Sequence, residues 1–254
     1  MELQVVKGDI TSMKVDAVVL PANTALKEGS GASQAIFEKA GRKELTAACK
    51  QLAPVEVGSA IATPAYNLSA QYILHAVVPK WQGGGKNEYA LLSSAYLSCL
   101  SVADAMGCES IAFPLLAAGN NGFNMKLAAK IAQESILNYT AGNTLKTVFL
   151  VVYNEAAKVI MVGMGIPVAP TIPAGYYTHI VMHRSNTALA EKKEDSPGFF
   201  SKVADFSKNF WIKHKHQLVA GGALFAQAVV LKKAVPKAEL LNLGLGIVKD
   251  EILR

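Results

Sequence analysis

The chain has 254 residues, 51% of them hydrophobic and 17% charged, which is enough apolar side chain for a full buried core and argues against a disordered chain. Three cysteines, Cys49, Cys99 and Cys108, are odd in number and show neither C-x-x-C spacing nor a nearby histidine cluster, so they read as reduced packing residues rather than a disulfide framework. The net charge of +6 is unevenly placed: Met1 to Glu155 carries 12 basic against 12 acidic residues, Ala156 to Arg254 carries 13 against 7, and the change of composition marks a domain boundary.

The chain opens on a strand-like run, Glu2 to Val6, without the basic and then apolar stretch of a signal peptide, from which a cytoplasmic location is expected. Further short apolar runs bounded by Gly, Pro, Asn or Asp follow at Ala17 to Leu20, Ala60 to Thr63, Tyr72 to Val78, Ser110 to Leu115 and Thr147 to Tyr153, and each predicts a buried strand. Between them Ser33 to Ala40, Arg42 to Leu52, Asn87 to Met106 and Met125 to Tyr139 carry a helical period. In the third of these Leu92, Tyr96, Cys99, Ala103 and Met106 fall on one side, and Gly107 supplies the stop. A last helix from about Glu155 to Met164 closes an α/β layered domain with helices on both faces of one sheet. The run Pro167-Val-Ala-Pro170-Thr-Ile-Pro173 cannot continue that helix and begins a linker.

Four segments point to one kind of ligand. Gly8-Asp9-Ile10-Thr11 follows the first strand, where Asp9 either accepts from an amino group such as adenine N6 or closes a plain Asx-turn. The second strand runs into Pro21-Ala22-Asn23-Thr24 and then into Glu28-Gly29-Ser30-Gly31-Ala32-Ser33, a glycine loop at a helix start whose amides can approach an anion. Asn23 there can hold a ribose hydroxyl or position water. The strand at Ser110 leads into Ala117-Ala118-Gly119-Asn120-Asn121-Gly122-Phe123, whose small side chains leave a second set of amides uncovered, and two facing cradles suit a diphosphate. Tyr153, followed by Asn154, ends the last strand and either stacks on a purine or packs under the final helix.

Taken in order, these segments resemble the macro domain family, whose pattern is G-D-I-T, a strand ending V-N-A-A-N, a G-G-G-V loop, a strand near H-x-x-x-P, F-P-A, a loop S-x-G-x-x-G and a late aromatic. Tyr72-Ile-Leu-His75-Ala-Val-Val-Pro79 fits the middle strand, with His75 a structural residue. The resemblance covers residues 1–165 and implies a three-layer α/β/α fold with a mixed, mostly parallel central sheet and a cleft for ADP-ribose. On the same basis Asp9 and Ile10 would hold adenine, Tyr153 would stack on it, and Asn154 would join the ligand-binding residues. Gly29, Gly31 and Ser33 with Ala117, Ala118, Gly119, Asn120, Asn121, Gly122 and Phe123 would wrap the diphosphate. Asn23 would face the distal ribose. The expected ligand is ADP-ribose, on a protein or in a metabolite, with no separate cofactor and no metal.

Several positions depart from that pattern. Leu20 and Pro21 stand where it has Asn and Ala, the glycine run is reduced to Gly29-Ser30-Gly31, and Ala117 stands where the second loop often has Ser. MacroD-type ADP-ribosyl hydrolases carry an aspartate ten residues after the retained Asn, and this chain has Ser33, which cannot act as a carboxylate base near pH 7. Viral macro domains lack that carboxylate too and still hydrolyse ADP-ribosyl esters. The leading expectation is therefore ester hydrolysis with water held between the ligand phosphate and Asn23, where Glu28 either assists or is a solvated loop residue. A reader that binds without turnover and an ADP-ribose 1''-phosphate phosphatase are the alternatives.

Beyond the linker, residues 166–195, a mainly helical basic and apolar extension is expected over 196–254. Ser196-Pro197 starts a helix with Phe199, Val203, Phe206 and Phe210 on one side. Gln217 to Leu231 is fifteen residues without a charge, shorter than the roughly 20 of a membrane span. The extension is read either as a cap on the first domain or as a contact with a membrane surface, giving peripheral membrane association. Lys213-His-Lys215-His216 lacks interleaved aromatics and gives no strong nucleic-acid signal. His179-x-x-x-His183 lacks the partners of a metal site.

Overall fold

The computed structural model describes residues 1–140, 142 and 144–169; the expected helical extension, most of the linker and the His179/His183 pair lie outside them. In chain order the elements are β1 (Glu2–Lys7), a single 3-10 turn (Ile10–Ser12), β2 (Ala17–Ala22), α1 (Ala32–Ala40), α2 (Arg42–Leu52), β3 (Ala60–Pro64) and β4 (Tyr72–Val77). There follow α3 (Glu88–Ala105), β5 (Ser110–Pro114), α4 (Met125–Leu137), β6 (Thr147–Val152), α5 (Glu155–Gly163) and β7 (Val168–Ala169).

The strands form one sheet in the order β3-β4-β2-β5-β6-β1-β7, with β3 antiparallel to β4 and every other pair parallel. Every residue of β3, β5 and β6 is buried, as a sheet covered on both faces requires. Alternation along the strands sorts side chains into two cores. Val5, Val148, Leu150 and Val152 join α3, α4 and α5 on one face, and Val6, Phe149 and Val151 join α1 and α2 on the other. The three-layer expectation is met.

Helix α3 is buried nearly all round, so its serines need internal partners. Ser94 and Ser98 donate to the Gly58 carbonyl, and Ser93 bonds Ser135. At the same helix's end the buried Asp104 accepts from the Thr144 amide and hydroxyl, the Leu145 amide and the Tyr139 hydroxyl. Asp104→Ala would orphan these donors and is expected to destabilise the protein by roughly 3 kcal/mol. A urea titration of the full chain measures it, and a loss under about 1 kcal/mol would show the donors finding water instead.

Two details bear on the site. β2 pairs with β4 through Ala22, yet with β5 only at Ala17 and Val18. The β2–β5 pairing thus ends before Pro21 and leaves the carboxyl ends of these two strands unpaired with each other, the kind of position at which open α/β sheets form a ligand crevice. β7 lies inside the segment expected to be linker. It pairs Val168 with Val5 and Ala169 with Val6, so the folded unit reaches beyond residue 165, and Pro167 is tolerated because this is a sheet edge.

Candidate functional site

β1, β2, β5 and β6 all end on one rim of the sheet, and the predicted site residues lie in the turns and loops leaving that rim, except Ser33, the second residue of α1. This is where open α/β sheets bind ligands.

Asp9 caps the 3-10 turn, accepting from the Thr11 amide at 2.9 Å and the Thr11 hydroxyl at 2.8 Å, so the Asx-turn alternative is realised. Ile10 is buried beneath the turn. Beside it, at the end of the neighbouring β6, Tyr153 is 80% exposed, free to cover a flat ring and not packed under α5. Asn154 is the N-cap of α5, its side chain accepting from the Ala157 amide at 2.8 Å. The cap commits Oδ1 and leaves the Nδ2 donors of this exposed side chain uncommitted. Glu155, next along, is held down to a pKa of about 2 by Lys7 and Lys158.

The first loop is tied from within. Asn23 Oδ1 accepts from the amides of Ala25 and Lys27, both at 3.1 Å, and Nδ2 donates to the Lys27 carbonyl at 2.8 Å. An amide nitrogen has two hydrogens, so one N–H of this exposed side chain stays uncommitted. Glu28, expected as a catalytic assistant or a solvated loop residue, is an exposed loop residue held in an ion pair. Both its oxygens take Arg42 Nε, at 3.1 and 3.2 Å, so its charge is matched by a guanidinium. Ser33 is buried and its Oγ accepts the Gly29 amide at 3.0 Å, which takes that amide out of the anion cradle and makes Ser33 a loop tie. Gly31, at φ +62, then starts α1 with no side-chain cap, and nothing lies within 4 Å of where a Cβ would stand. The α1 amides are left open to an anion.

The second loop follows β5. Ala117 is a non-glycine residue at φ +61 and Gly122 stands at φ +79, while nothing crowds Gly119. Ala117 and Phe123 are buried, Ala118 and Asn121 half-buried, and Asn120 exposed. The loop is pinned by the Leu116 amide to Tyr96 Oη at 3.0 Å and by the Gly122 amide to the Gly119 carbonyl at 3.0 Å. The Asn120 amide donates to Ser30 Oγ, joining the two loops.

Residues that sequence reasoning passed over support this second loop. Trp81 donates its amide to the Asn121 carbonyl at 2.8 Å and sets its ring edge-on to Phe123 and Tyr89. Trp81 is placed by the glycine-rich turn after it, whose Gln82, Gly84 and Lys86 amides all converge on the Glu88 carboxylate. Burial pushes the Glu88 pKa up, but these amides together pull it below the ordinary value. The signal was the G-G-G run ahead of an acidic helix start, Gly83 to Glu88.

His75 sits in β4, fully buried, with Nε2 2.9 Å from Thr63 Oγ1 and Nδ1 4.0 Å from Cys49 Sγ. Burial lowers its pKa to about 3 and raises that of Cys49 to about 12. Both are neutral structural groups away from the rim. The described residues contain no cluster of three His, Cys, Asp or Glu side chains placed to hold a metal.

Comparison with known proteins agrees with this geometry. The Macro domain family model matches residues 19–132. A Macro domain-containing protein of Lactiplantibacillus plantarum is 38% identical over 160 residues, 62% of this chain and 92% of that protein. A Salmonella gallinarum protein named O-acetyl-ADP-ribose deacetylase is 40% identical over 158 residues, 60% of this chain and 88% of its own. Among solved structures, a mutant Oceanobacillus iheyensis macrodomain with ADPR superposes with a TM-score of 0.60 at 28% identity, covering 63% of this chain and 90% of that one.

Proposed function

This chain belongs to the macro domain family, and from that premise we propose that it binds ADP-ribose along the rim formed by β1, β6, β5 and β2 and hydrolyses an ester on the distal ribose. O-acetyl-ADP-ribose, the substrate in the Salmonella relative's name, is the first candidate, with protein-linked mono-ADP-ribosyl esters beside it. One observation carries the reading: two loops of uncovered amides meet across the crevice where β2 and β5 part. That arrangement fits a diphosphate, with Tyr153 and the Asp9 turn at the nucleoside end and Asn23 at the other.

In this reading water attacks the ester carbonyl and the products are ADP-ribose and the free acid. The uncommitted N–H of Asn23 orients the attacking water or the ribose hydroxyl, and the open α1 amides carry the phosphate charge beside it. The three cysteines, buried and unpaired among the described residues, suit a reducing compartment, and we place the protein in the cytoplasm.

A second reading, capture without turnover, is favoured by the loop chemistry: Ser33 ties Gly29 and Glu28 is paired with Arg42, so the first loop has no free carboxylate. Titration calorimetry of the full chain with ADP-ribose, paired with an assay of acetate release from O-acetyl-ADP-ribose, separates the two. Binding with release that drops by about 100-fold in Asn23→Ala is the expected result. Binding with no release would establish the second reading, and no binding would end both.

A further inference from the structure

We infer that Ser30 and Asn120 form a gate over the ligand's diphosphate, setting how fast ADP-ribose enters and leaves without setting how tightly it is held. The inference rests on the ADP-ribose reading of the cleft. Each loop is stiff by itself. The first is tied by Asn23 to Ala25 and Lys27, by Ser33 to Gly29 and by Arg42 to Glu28. The second is tied by Tyr96 to Leu116 and by Trp81 to Asn121, with an internal turn from Gly122 to Gly119. Deforming either loop would break several of these bonds at once.

The seam between them is different. Among the described residues a single side-chain hydrogen bond crosses it, from Asn120 Nδ2 to Ser30 Oγ, and both residues are exposed. Ser30 brings the hydroxyl to the middle of the Gly29-Ser30-Gly31 run, and it lies next to Gly31, where the uncapped α1 begins. A ligand phosphate drawn to the open amides on both loops therefore passes under this bond. Opening the cleft costs one exposed hydrogen bond, a small barrier that water repays in part.

Both partners belong to the protein, so the bond favours the closed cleft whether or not the site is filled. Removing it lowers the barrier to passage in both directions, and a gate differs in this from an ordinary ligand contact, whose loss speeds departure alone.

Stopped-flow mixing of ADP-ribose with the full chain carrying Trp211→Phe, so that the fluorescence comes from Trp81 beside the second loop, gives both rates. In Ser30→Ala, association and dissociation are each expected to rise roughly 2- to 12-fold, with Kd changed by less than about 2-fold, and in Asn120→Ala association is expected to rise by the same factor. The double variant should be no faster than either single one, because all three lack the same bond. Faster dissociation with unchanged association, unchanged rates, or additive effects in the double variant would each overturn the gate while leaving the cleft assigned. Failure of the unaltered chain to bind ADP-ribose would overturn the cleft and the gate together. Unshifted melting temperatures of the variants would show that the effect is local.

Discussion

Lowering the pH from 6.5 to 4 is expected to cost the folded protein about 1.4 kcal/mol per pH unit through His75 alone, roughly 3 kcal/mol over that range. The imidazole is buried in β4 with a pKa of about 3, whereas in the unfolded chain it titrates near its ordinary value. Between those two values the unfolded state binds one more proton than the folded state. Stability from this group is therefore complete above pH 6.5 and falls as the pH drops, until the folded imidazole itself protonates. Glu88 and Glu155, both with lowered pKa values, add acid sensitivity of the same sign, so the measurement is a difference. His75→Gln keeps a partner for Thr63 Oγ1 and removes the titration. Its urea-unfolding free energy should lose about one proton's worth of slope between pH 4 and 6.5 relative to the unaltered chain. Equal slopes would mean that the imidazole reaches solvent.

Replacing Ser33 with aspartate is expected to raise ester hydrolysis by on the order of 100-fold, the gain a positioned carboxylate brings as a base. Ser33 occupies the place where MacroD-type hydrolases carry that carboxylate, at the start of α1 and beneath the first loop. An aspartate oxygen can accept the Gly29 amide as Ser33 Oγ does, which leaves its second oxygen for the water that the proposed mechanism assigns to Asn23. Partial burial would raise its pKa toward the working range of a base, while the open end of α1 limits that rise. Acetate release under saturating O-acetyl-ADP-ribose is the measurement. Unchanged turnover with unchanged ADP-ribose affinity would show that this position does not reach the reacting carbonyl and that the chemistry rests on Asn23 and the backbone amides.

Most of the fold was legible because its strands are short, branched and punctuated. Thr147 to Val152 is wholly buried and bounded by turns, and Gly107 stops α3 at a positive φ, as local chemistry alone demands. β7 was not legible. Two residues after a proline carry no periodicity, and only the exposed edge of β1 makes them a strand. The site was legible as a set of loops, since glycines and small residues after buried strands name the places where amides stay uncovered. The commitments of individual side chains were not. Glu28 is claimed by Arg42, fourteen positions later, Asn154 by its own helix, and Trp81 is drawn to Asn121 across forty residues. The partners of Glu28 and Trp81 are tertiary choices among several that the sequence permits equally, whereas Asn154 is claimed locally by the first turn of α5.

Because Ala169 lies beside Val6, the described part of the chain ends at the rim where the nucleotide would enter, whereas Met1 precedes β1 and stands at the opposite rim. Six strand residues, roughly 20 Å, separate the two ends of β1. The termini of this unit are unequal as handles. Immobilised by its amino end, the protein would present its cleft to the solution. Held just after Ala169, it would turn that cleft toward the support, and a fluorophore placed there would share its solvent with the ligand.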